Sequence, residues 1–255
     1  MVNKNFKTVK IKGGLGNQLF QYAFALFLKN KFDTEVNLEV SWYKEQSFRR
    51  FVLNDLLANS EFSLVNSVPS FINKRINQGY LSENLITFLI KKNYFLPINF
   101  YDGYWQDIFF ANFLKDKIFF KSNILKKIIN EDYYVIHLRR GDFKRSKVHI
   151  VLSDEYYLKF VEVFKDKKIY IISEEEEDAI NLKKKIKLDL EYYKCSDLEA
   201  FSIIYNAMGG IASNSTFCWW AIFLSESRNW LMPYQWLKKI NIIDSKLAIP
   251  KTILI

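Results

Sequence analysis

The sequence predicts an α/β fold with two domains and a cleft between them, and three observations carry this prediction. Segments typical of strands and of helices alternate along the second half of the chain, which indicates a parallel sheet with right-handed crossovers. The N-terminal residues follow the order strand, glycine-rich turn, helix and strand, which is typical of a β-α-β unit. A length of 255 residues is sufficient for two domains with separate cores.

The composition is that of a globular protein with an anionic partner. Hydrophobic residues make up 49% and charged residues 25%, which excludes a disordered or fibrous chain. The formal net charge of +9 suggests nucleic acid, an acidic membrane surface or a phosphorylated ligand as the partner. Lysines supply most of this charge and are spread along the chain, so nucleic acid is not favoured.

Histidines and cysteines are too few for a metal centre built on them. The chain has only His137 and His149, and no carboxylate cluster suited to Mg²⁺ stands out. Cys195 and Cys218 have neither metal-ligand nor disulfide-framework spacing, which favours a reducing compartment. The N-terminus lacks the apolar core of a signal peptide and no apolar run reaches the length of a membrane span, so we expect a cytosolic protein.

The N-terminal domain is predicted to comprise residues 1–131 and to begin with the β-α-β unit. The strand at 8–12 leads into a glycine-rich turn at 13–18, a helix at 19–32 and a strand at 34–40. Glycines let a ligand approach the backbone and a helix N-terminus attracts anions, although a tight turn without a ligand explains the pattern equally well. The later elements are less defined: helices at 54–57, 81–92, 109–117 and 124–130, and a strand at 100–105.

The C-terminal domain, residues 132–255, alternates strands and helices throughout. The predicted strands are at 133–138, 168–172, 191–193, 209–212 and 230–232. The predicted helices are at 154–164, 174–185, 197–206 and 216–224. Ligands of open parallel sheets bind beyond the carboxyl ends of the strands, so polar residues that follow these strands are the candidates for a site.

The strand at 133–138 carries His137 and delivers two arginines to a turn. Arg139 and Arg140 follow it directly, and Gly141 breaks the strand. Arginine suits phosphate because its planar fork donates two parallel charge-assisted hydrogen bonds, and Asp142 is placed to hold one guanidinium. A solvated Arg-Arg-Gly-Asp surface turn is an alternative of equal weight when this stretch is taken alone.

A second polar run, Ser-Asn-Ser-Thr at 213–216, joins the strand at 209–212 to the next helix. These residues can cap the helix, which is their commoner use, or present hydroxyls and N–H groups to a phosphate. The second use gains weight because this run and the arginines both follow strands of one predicted sheet. Together they predict a single anion site with two walls, and Trp219 and Trp220 are expected to pack in the helix core.

Three motifs in order resemble those of the bacterial α-1,2-fucosyltransferases. They are Gly-Gly-Leu-Gly-Asn-Gln-Leu-Phe-Gln-Tyr-Ala at 13–23, His-Leu-Arg-Arg-Gly-Asp at 137–142 and Asn-Ser-Thr-Phe-Cys-Trp-Trp at 214–220. Weaker pieces at 103–106, 154–157 and 233–236 extend the resemblance over nearly the whole chain. Two places depart from the family pattern: Ser-Glu-Glu at 173–175 replaces Ser-Asp-Asp, and Cys218 replaces a serine.

The resemblance implies a GT-B-type glycosyltransferase with two Rossmann-like domains facing a cleft. Residues 1–131 would bind the acceptor, and residues 132–255 would bind the GDP-sugar. The donor would be GDP-β-L-fucose and the acceptor a terminal galactoside, with inversion at the anomeric carbon and no required metal ion or other cofactor. Peripheral docking on the inner membrane surface is left open.

The resemblance also implies roles for individual residues. In the catalytic set, His137 would contact the nucleoside side, Arg139 would contact the β-phosphate, and Asp142 would orient an arginine. The implied donor-binding residues are Gly14, Asn17, Gln18, Arg140, Asp197, Asn214, Ser215, Thr216 and Phe217. In this set Gly14, Asn17 and Gln18 would face the cleft from the N-terminal domain, and Asp197 would accept a hydrogen bond from the guanine edge.

Some assignments stay open from the sequence. The base for the acceptor hydroxyl could be Asp102, Asp142 or His149, all in polar stretches near predicted strand ends. Arg140 has a structural role as its alternative. Two rival functions remain: a related transferase that uses another GDP-sugar or forms another linkage, and a non-catalytic basic protein that binds anions or nucleic acid.

Overall fold

The computed structural model describes residues 6–46, 48–59, 61–67 and 80–255. The chain forms two compact units, Met1–Phe120 and Lys121–Ile255. The sequence placed the boundary at residue 131, whereas residues 121–131 belong to the C-terminal unit. Side chains of that unit hold this segment, since Ser202 Oγ donates to the carbonyl of Lys126 and Asn206 Nδ2 donates to that of Leu125.

The described part of the N-terminal unit has a parallel sheet of four strands in the order β3-β2-β1-β4. The strands are β1 (Lys7–Lys10), β2 (Val36–Glu39), β3 (Ser63–Val65) and β4 (Phe100–Tyr101). The helices are α1 (Leu15–Phe32), α2 (Leu53–Leu56), α3 (Tyr80–Lys91) and α4 (Ile108–Lys115). The direction in which strands are added reverses between β1 and β4, so this pair marks the topological switch point of the sheet.

Helix α1 is the core of this unit because it is apolar on nearly every side. Phe20, Phe24 and Ala25 are fully buried, and the Phe24 ring stacks on Trp105 with centroids 4.0 Å apart. The helix begins at Leu15, four residues before its predicted start at 19, because Gly14 already has the extended conformation of an N-cap, with φ −75° and ψ 174°.

The C-terminal unit has a six-stranded parallel sheet in the order β12-β9-β8-β5-β6-β7 and a separate antiparallel hairpin, β10-β11. The strands are β5 (Tyr134–Leu138), β6 (Ile169–Ser173), β7 (Leu190–Tyr192), β8 (Gly209–Ile211), β9 (Asn229–Met232), β10 (Gln235–Leu237), β11 (Ile240–Asn241) and β12 (Ile253–Leu254). The helices are α5 (Asp154–Val161), α6 (Glu176–Lys185), α7 (Asp197–Asn206) and α8 (Thr216–Leu224). Here the switch point lies between β5 and β8, where Val135 pairs with Gly210 and Ile136 with Ile211.

Several predicted elements differ from the observed ones. The predicted helix at 124–130 is wrong: the segment is irregular, and two of its carbonyls accept hydrogen bonds from side chains of α7 instead of continuing a helical ladder. The strand at 100–105 ends at Tyr101, since the next residues form a loop in which Trp105 has φ +53°. Strands β3 and β12 and the β10-β11 hairpin were not predicted.

Among the residues that the structure describes, no helix combines the length and the hydropathy needed to cross a bilayer.

Candidate active site

The candidate site lies at the switch point of the C-terminal sheet. Strand β5 ends at Leu138 and leads directly to Arg139 and Arg140, while β8 ends at Ile211 and leads to the polar run 213–216. Since β5 and β8 are parallel neighbours, their carboxyl ends meet at one edge of the sheet. The two polar walls predicted from the sequence are therefore adjacent.

His137 connects the two strand ends. Its Nδ1 lies 2.6 Å from the Ser213 hydroxyl oxygen, and its ring stacks on Phe217 with centroids 6.0 Å apart. Burial, reinforced by the nearby Arg139 charge, lowers the pKa of His137 to about 3. The imidazole is therefore neutral at physiological pH and is unsuited to act as a general acid or base there.

Arg139 is a buried cation held by carboxylates. Its Nη2 donates to Asp142 Oδ1 at 2.7 Å, and its Nη1 forms an ion pair with Glu174. The guanidinium also lies over the Phe143 ring, with Cζ 5.4 Å from the centroid. Burial acts to lower the pKa of Arg139, but the charges of Glu174 and Asp142 outweigh it and raise that pKa. Arg139 therefore carries a permanent positive charge at the end of β5.

Arg140 makes a different contact. Its Nη2 donates to Asp154 Oδ1 at 2.5 Å, and Lys185 Nζ donates to the other oxygen of the same carboxylate at 2.5 Å. Burial would raise the pKa of Asp154, but these two hydrogen bonds lower it overall. Because Asp154 is the first residue of α5, Arg140 fastens this helix to the end of β5.

Two tyrosines of α5 had no role in the sequence prediction and contact both walls of the site. The Tyr156 hydroxyl donates to the carbonyl of Ala212 at 3.0 Å, and the Tyr157 hydroxyl donates to that of His137 at 3.3 Å. Burial raises the pKa of both phenols, so they remain protonated donors. The weak motif at 154–157 was the only signal for them.

Asn214 ties the second wall to the surrounding loops. Its Nδ2 donates to the carbonyls of Ile150 at 3.0 Å and Trp236 at 2.9 Å. Its Oδ1 is buried and has no hydrogen-bond partner in the described part of the chain. Two carbonyl acceptors fix which end of the amide carries the nitrogen, so an acceptor oxygen is left unsatisfied.

The N-terminus of α8 offers backbone N–H groups at the switch point. Ser215 is the N-cap in an extended conformation, its own side chain makes no capping hydrogen bond, and the first turn of the helix contains no acidic residue. The N–H groups at a helix N-terminus favour an anion. The rest of α8 is core, as predicted: Trp219 and Trp220 are fully buried, and Trp219 Nε1 donates to the carbonyl of Leu247 at 2.6 Å.

Asp197 is the first residue of α7, a helix that packs against α8 through Phe201 and Phe217, whose ring centroids lie 5.7 Å apart. It is an exposed residue in the first turn of α7, which follows β7, and β6 separates β7 from β5. A capping box formed by Ser196 and Glu199 closes the N-terminus of that helix.

The three predicted residues of the N-terminal unit lie at the start of α1. Gly14 is the N-cap, and Asn17 Oδ1 accepts a hydrogen bond from Gln106 Nε2 at 2.9 Å. Gln18 is fully buried, and its amide donates to the carbonyls of Gly13 and Arg50. Gln18 therefore holds the glycine turn in place.

Arg49 lies beside the same helix N-terminus and was missed by the sequence analysis. A Cβ atom placed on Gly14 would lie 3.9 Å from Arg49 Cζ. Arg49 and Arg50 precede α2 without a recognisable motif, so the sequence offered no signal for this placement.

The three candidate bases are all engaged. Asp142 contacts Arg139, and Lys12 Nζ lies 2.5 Å from Asp102 Oδ1. The His149 ring stacks on Phe143 with centroids 4.1 Å apart, and burial lowers the pKa of His149.

Known proteins resemble the chain in sequence and in structure. The O-antigen biosynthesis glycosyltransferase WbnK of Escherichia coli is 27% identical over 93% of this chain and 96% of its own length. The alpha-1,2-colitosyltransferase of Escherichia coli is 25% identical over 85% of this chain and 87% of its own length. The solved structure of the fucosyltransferase NodZ from Bradyrhizobium has a TM-score of 0.60 and 13% identity, covering 88% of this chain and 94% of NodZ.

The structural likeness confirms the predicted fold class, an α/β protein with Rossmann-like units of the GT-B type. In sequence, residues 4–236 match the profile of glycosyl transferase family 11. The chain therefore belongs to glycosyl transferase family 11, a fucosyltransferase family, as its motifs had indicated.

Proposed function

We propose that this enzyme transfers L-fucose from GDP-β-L-fucose to the 2-hydroxyl of a terminal galactoside, with inversion at the anomeric carbon. The observation that carries the proposal is that the buried Arg139 and the N-terminus of α8 follow neighbouring parallel strands at one topological switch point. A fixed cation and the backbone N–H groups of a helix N-terminus are what a diphosphate requires.

The chemistry explains why this arrangement suits such a transfer. The acceptor oxygen forms a bond to C1 of fucose while the bond from C1 to the β-phosphate oxygen breaks, and GDP leaves with the electron pair. Stabilising the charge that develops on the leaving diphosphate is the main electrostatic task. In our proposal Arg139 stabilises this charge, and Asp142 keeps the guanidinium oriented through the 2.7 Å contact.

The donor sugar passes through an oxocarbenium-like state, so the acceptor hydroxyl loses its proton late. The hydroxyl therefore needs only modest help from a base. His137 is not that base in our proposal, since its pKa of about 3 leaves it a poor proton acceptor. It contacts the nucleoside side instead, through a ring already fixed by Ser213 and Phe217.

The relatives support a nucleotide-sugar donor. NodZ was co-crystallised with GDP and soaked with GDP-fucose in separate structures. NodZ itself is described as an α-1,6-fucosyltransferase, so it does not decide the linkage. The 1,2 linkage in our proposal has support from the motif set and from the relative named as an alpha-1,2-colitosyltransferase.

That relative also favours a second candidate function. A donor carrying colitose instead of fucose would need the same diphosphate contacts and would differ only at the sugar. Incubation of the enzyme with a galactoside and either GDP-fucose or the GDP-linked form of colitose, followed by mass spectrometry of the product, separates the two. Transfer of colitose without transfer of fucose would replace our first choice.

Calorimetric titration tests the class of function. We expect binding of GDP and GDP-fucose, much weaker binding of UDP, and only weak DNA binding that disappears as salt is raised. Tight binding of a DNA duplex without any preference for GDP would overturn the transferase proposal in favour of a basic binding protein.

A further inference from the structure

The N-terminal sheet has its own topological switch point, between β1 and β4. The donor-binding assignments place Gly14, Asn17 and Gln18 at one side of it but leave the end of β4 unused. Beyond the carboxyl end of β1 lies Lys12, and beyond that of β4 lie Asp102, Gly103 and Tyr104. This is where a parallel sheet of this order binds a ligand.

The side chains there form a compact polar cluster around one aromatic ring. Asp102 accepts Lys12 Nζ at 2.5 Å and lies 3.5 Å from Lys10 Nζ. Lys12 Nζ lies 4.9 Å from the centre of the Tyr104 ring, which is 42% exposed. Because Lys12 Nζ lies over one face of the Tyr104 ring, the cluster offers the remaining exposed part of the ring, with the Asp102 carboxylate bound to the same ammonium group.

Hydrogen bonds with the side chains of Glu83 and Gln21 hold the loop that carries Asp102 and Tyr104. Both oxygens of Glu83 accept backbone N–H groups, that of Tyr104 at 2.9 Å and that of Trp105 at 2.5 Å. Gln21 accepts the N–H of Lys12 and donates to the carbonyl of Gly103, so it joins the two strand ends.

Trp105 carries backbone strain within this loop. It has φ +53°, an uncommon conformation for a bulky residue, while its side chain is buried against Phe24. Strain that is kept in place by two carboxylate hydrogen bonds and a stacked ring is typical of a functional loop.

The charges of the cluster favour a neutral ligand. Asp102 already engages both lysines, and a second carboxyl group, Glu83, lies close enough to interact with Lys12 and Asp102. Little net positive charge remains to select an acidic sugar. An amphipathic ring beside fixed hydrogen-bonding groups suits a pyranose, whose apolar face can stack while its hydroxyls find donors and acceptors.

We propose that Lys12, Asp102 and Tyr104 form the binding subsite for the acceptor sugar and that this sugar is uncharged. This inference rests on the proposed transferase function. In it the Tyr104 ring carries the apolar face of the terminal galactoside, and Asp102 accepts hydrogen bonds from its hydroxyls. Glu83 is a positioning residue that acts through the loop.

Steady-state kinetics of two variants test the subsite. Asp102→Asn and Tyr104→Ala should each raise the KM for the galactoside about tenfold or more, as expected when a hydrogen bond to a charged group or an aromatic contact is lost. The KM for GDP-fucose and the Kd for GDP should stay within about twofold of the wild-type values. Asp55→Asn and Tyr94→Ala are matched controls, since Asp55 is paired with the exposed Arg50 and Tyr94 is 60% exposed. Neither control should change any of these constants.

The acceptor itself provides a second arm. A galactoside should be used in clear preference to the matching galacturonide, and preference for the acidic sugar would overturn the neutral assignment. If Asp102→Asn fails to fold, the kinetics of Tyr104→Ala alone test the subsite, because the exposed Tyr104 ring can be removed without opening the core. An unchanged galactoside KM in a folded Tyr104→Ala variant, or an equal loss of GDP affinity, would overturn the subsite while leaving the transferase function intact. If the wild type transfers no sugar from either GDP-linked donor, the proposed function fails first and the subsite with it.

Discussion

At the scale of single residues, the adjacent Arg139 and Arg140 make different contacts although they belong to one motif. Both are buried and charged, but Arg139 contacts carboxylates of two loops, whereas Arg140 is tied to the first residue of a helix. The sequence could not separate them, because adjacent arginines after a strand are equivalent until the neighbouring carboxylates are placed.

Replacing Arg139 with lysine tests its proposed role. Arg139→Lys keeps the charge but loses the planar fork, so it cannot bridge the phosphate and Asp142 at once. We expect kcat to fall on the order of a hundredfold, with thermal unfolding close to that of the wild type. Arg145→Lys in the following turn is the control, since Arg145 is exposed and should tolerate the change. Near-normal turnover of Arg139→Lys would refute the role.

His137 gives a prediction about pH. Its pKa of about 3 lies below the ordinary histidine value of about 6.5. Below pH 6.5 the unfolded chain therefore binds a proton that the folded chain does not, so the stabilising contribution is complete above that pH and is lost as pH falls. Between pH 6.5 and pH 5 the wild type should lose about 2 kcal/mol more unfolding free energy than His137→Gln.

Proton NMR checks this directly because the chain has only two histidines. The His137 ring signals should stay constant from pH 5 to pH 8, and the His137→Gln variant assigns them by their loss. A titration of these signals with a midpoint between 6 and 7 would contradict the buried, neutral imidazole.

At the scale of elements, the close approach of β8 to β5 fixes the geometry of the switch point. Gly210 pairs with Val135 and has φ +150°, and a Cβ atom there would lie 1.8 Å from the Val135 carbonyl oxygen. No ordinary side chain fits this position, so the two glycines at the start of β8 let the two walls of the site meet.

Gly210→Ala should therefore damage folding more than any surface change. The added methyl group must displace the β5 backbone, and we expect a loss of about 3 kcal/mol or more in unfolding free energy or a failure to accumulate soluble protein. Gly14→Ala is the matched control for stability, because its φ is −75° and the nearest atom to the new Cβ would be 3.9 Å away. A Gly210→Ala protein with wild-type urea unfolding would contradict this account of β8.

The elements that the sequence predicted well are those whose own residues decide the structure. Strand β5 and helix α8 are apolar runs with clear ends, so their positions and the polar residues after β5 and before α8 were predicted. The helix at 124–130 failed because Ser202 and Asn206, far along the chain, capture its carbonyls. The contacts of Tyr156 and Tyr157 could not be predicted from the sequence for the same reason, since each joins α5 to a strand end distant in sequence.

At the scale of the whole molecule, the two sheets share a strand order around their switch points but differ in charge. The C-terminal switch point presents Arg139 and the N-terminus of α8, which suits a diphosphate. The end of β4 in the N-terminal sheet presents Asp102 between two lysines and an exposed tyrosine. The two switch points thus differ in the groups that they offer to a ligand, although Arg139 and both lysines are ion-paired with carboxylates.

The distribution of acidic residues bears on whether the reaction needs a metal ion. Divalent cations in nucleotide-sugar transferases need oxygen ligands that converge on one point. The densest acidic run of this chain, at 174–178, instead spreads over separate cations: Glu174 pairs with Arg139, Glu176 with Lys194, and Asp178 with Lys144. The start of α6 also accommodates this run, because acidic side chains favour a helix N-terminus.

We therefore predict that transfer does not depend on a divalent metal ion. Arg139 already supplies positive charge at the C-terminal switch point, and a divalent ion beside it would bring like charges together. After the enzyme has been stripped of metal, activity in excess EDTA should equal that of the untreated enzyme, and added Mg²⁺ or Mn²⁺ should change it little. A mock-treated sample controls for losses during stripping. Complete loss of transfer on chelation, restored by Mn²⁺, would mean that the acidic run binds a metal and that Arg139 is not the main stabiliser of the leaving diphosphate.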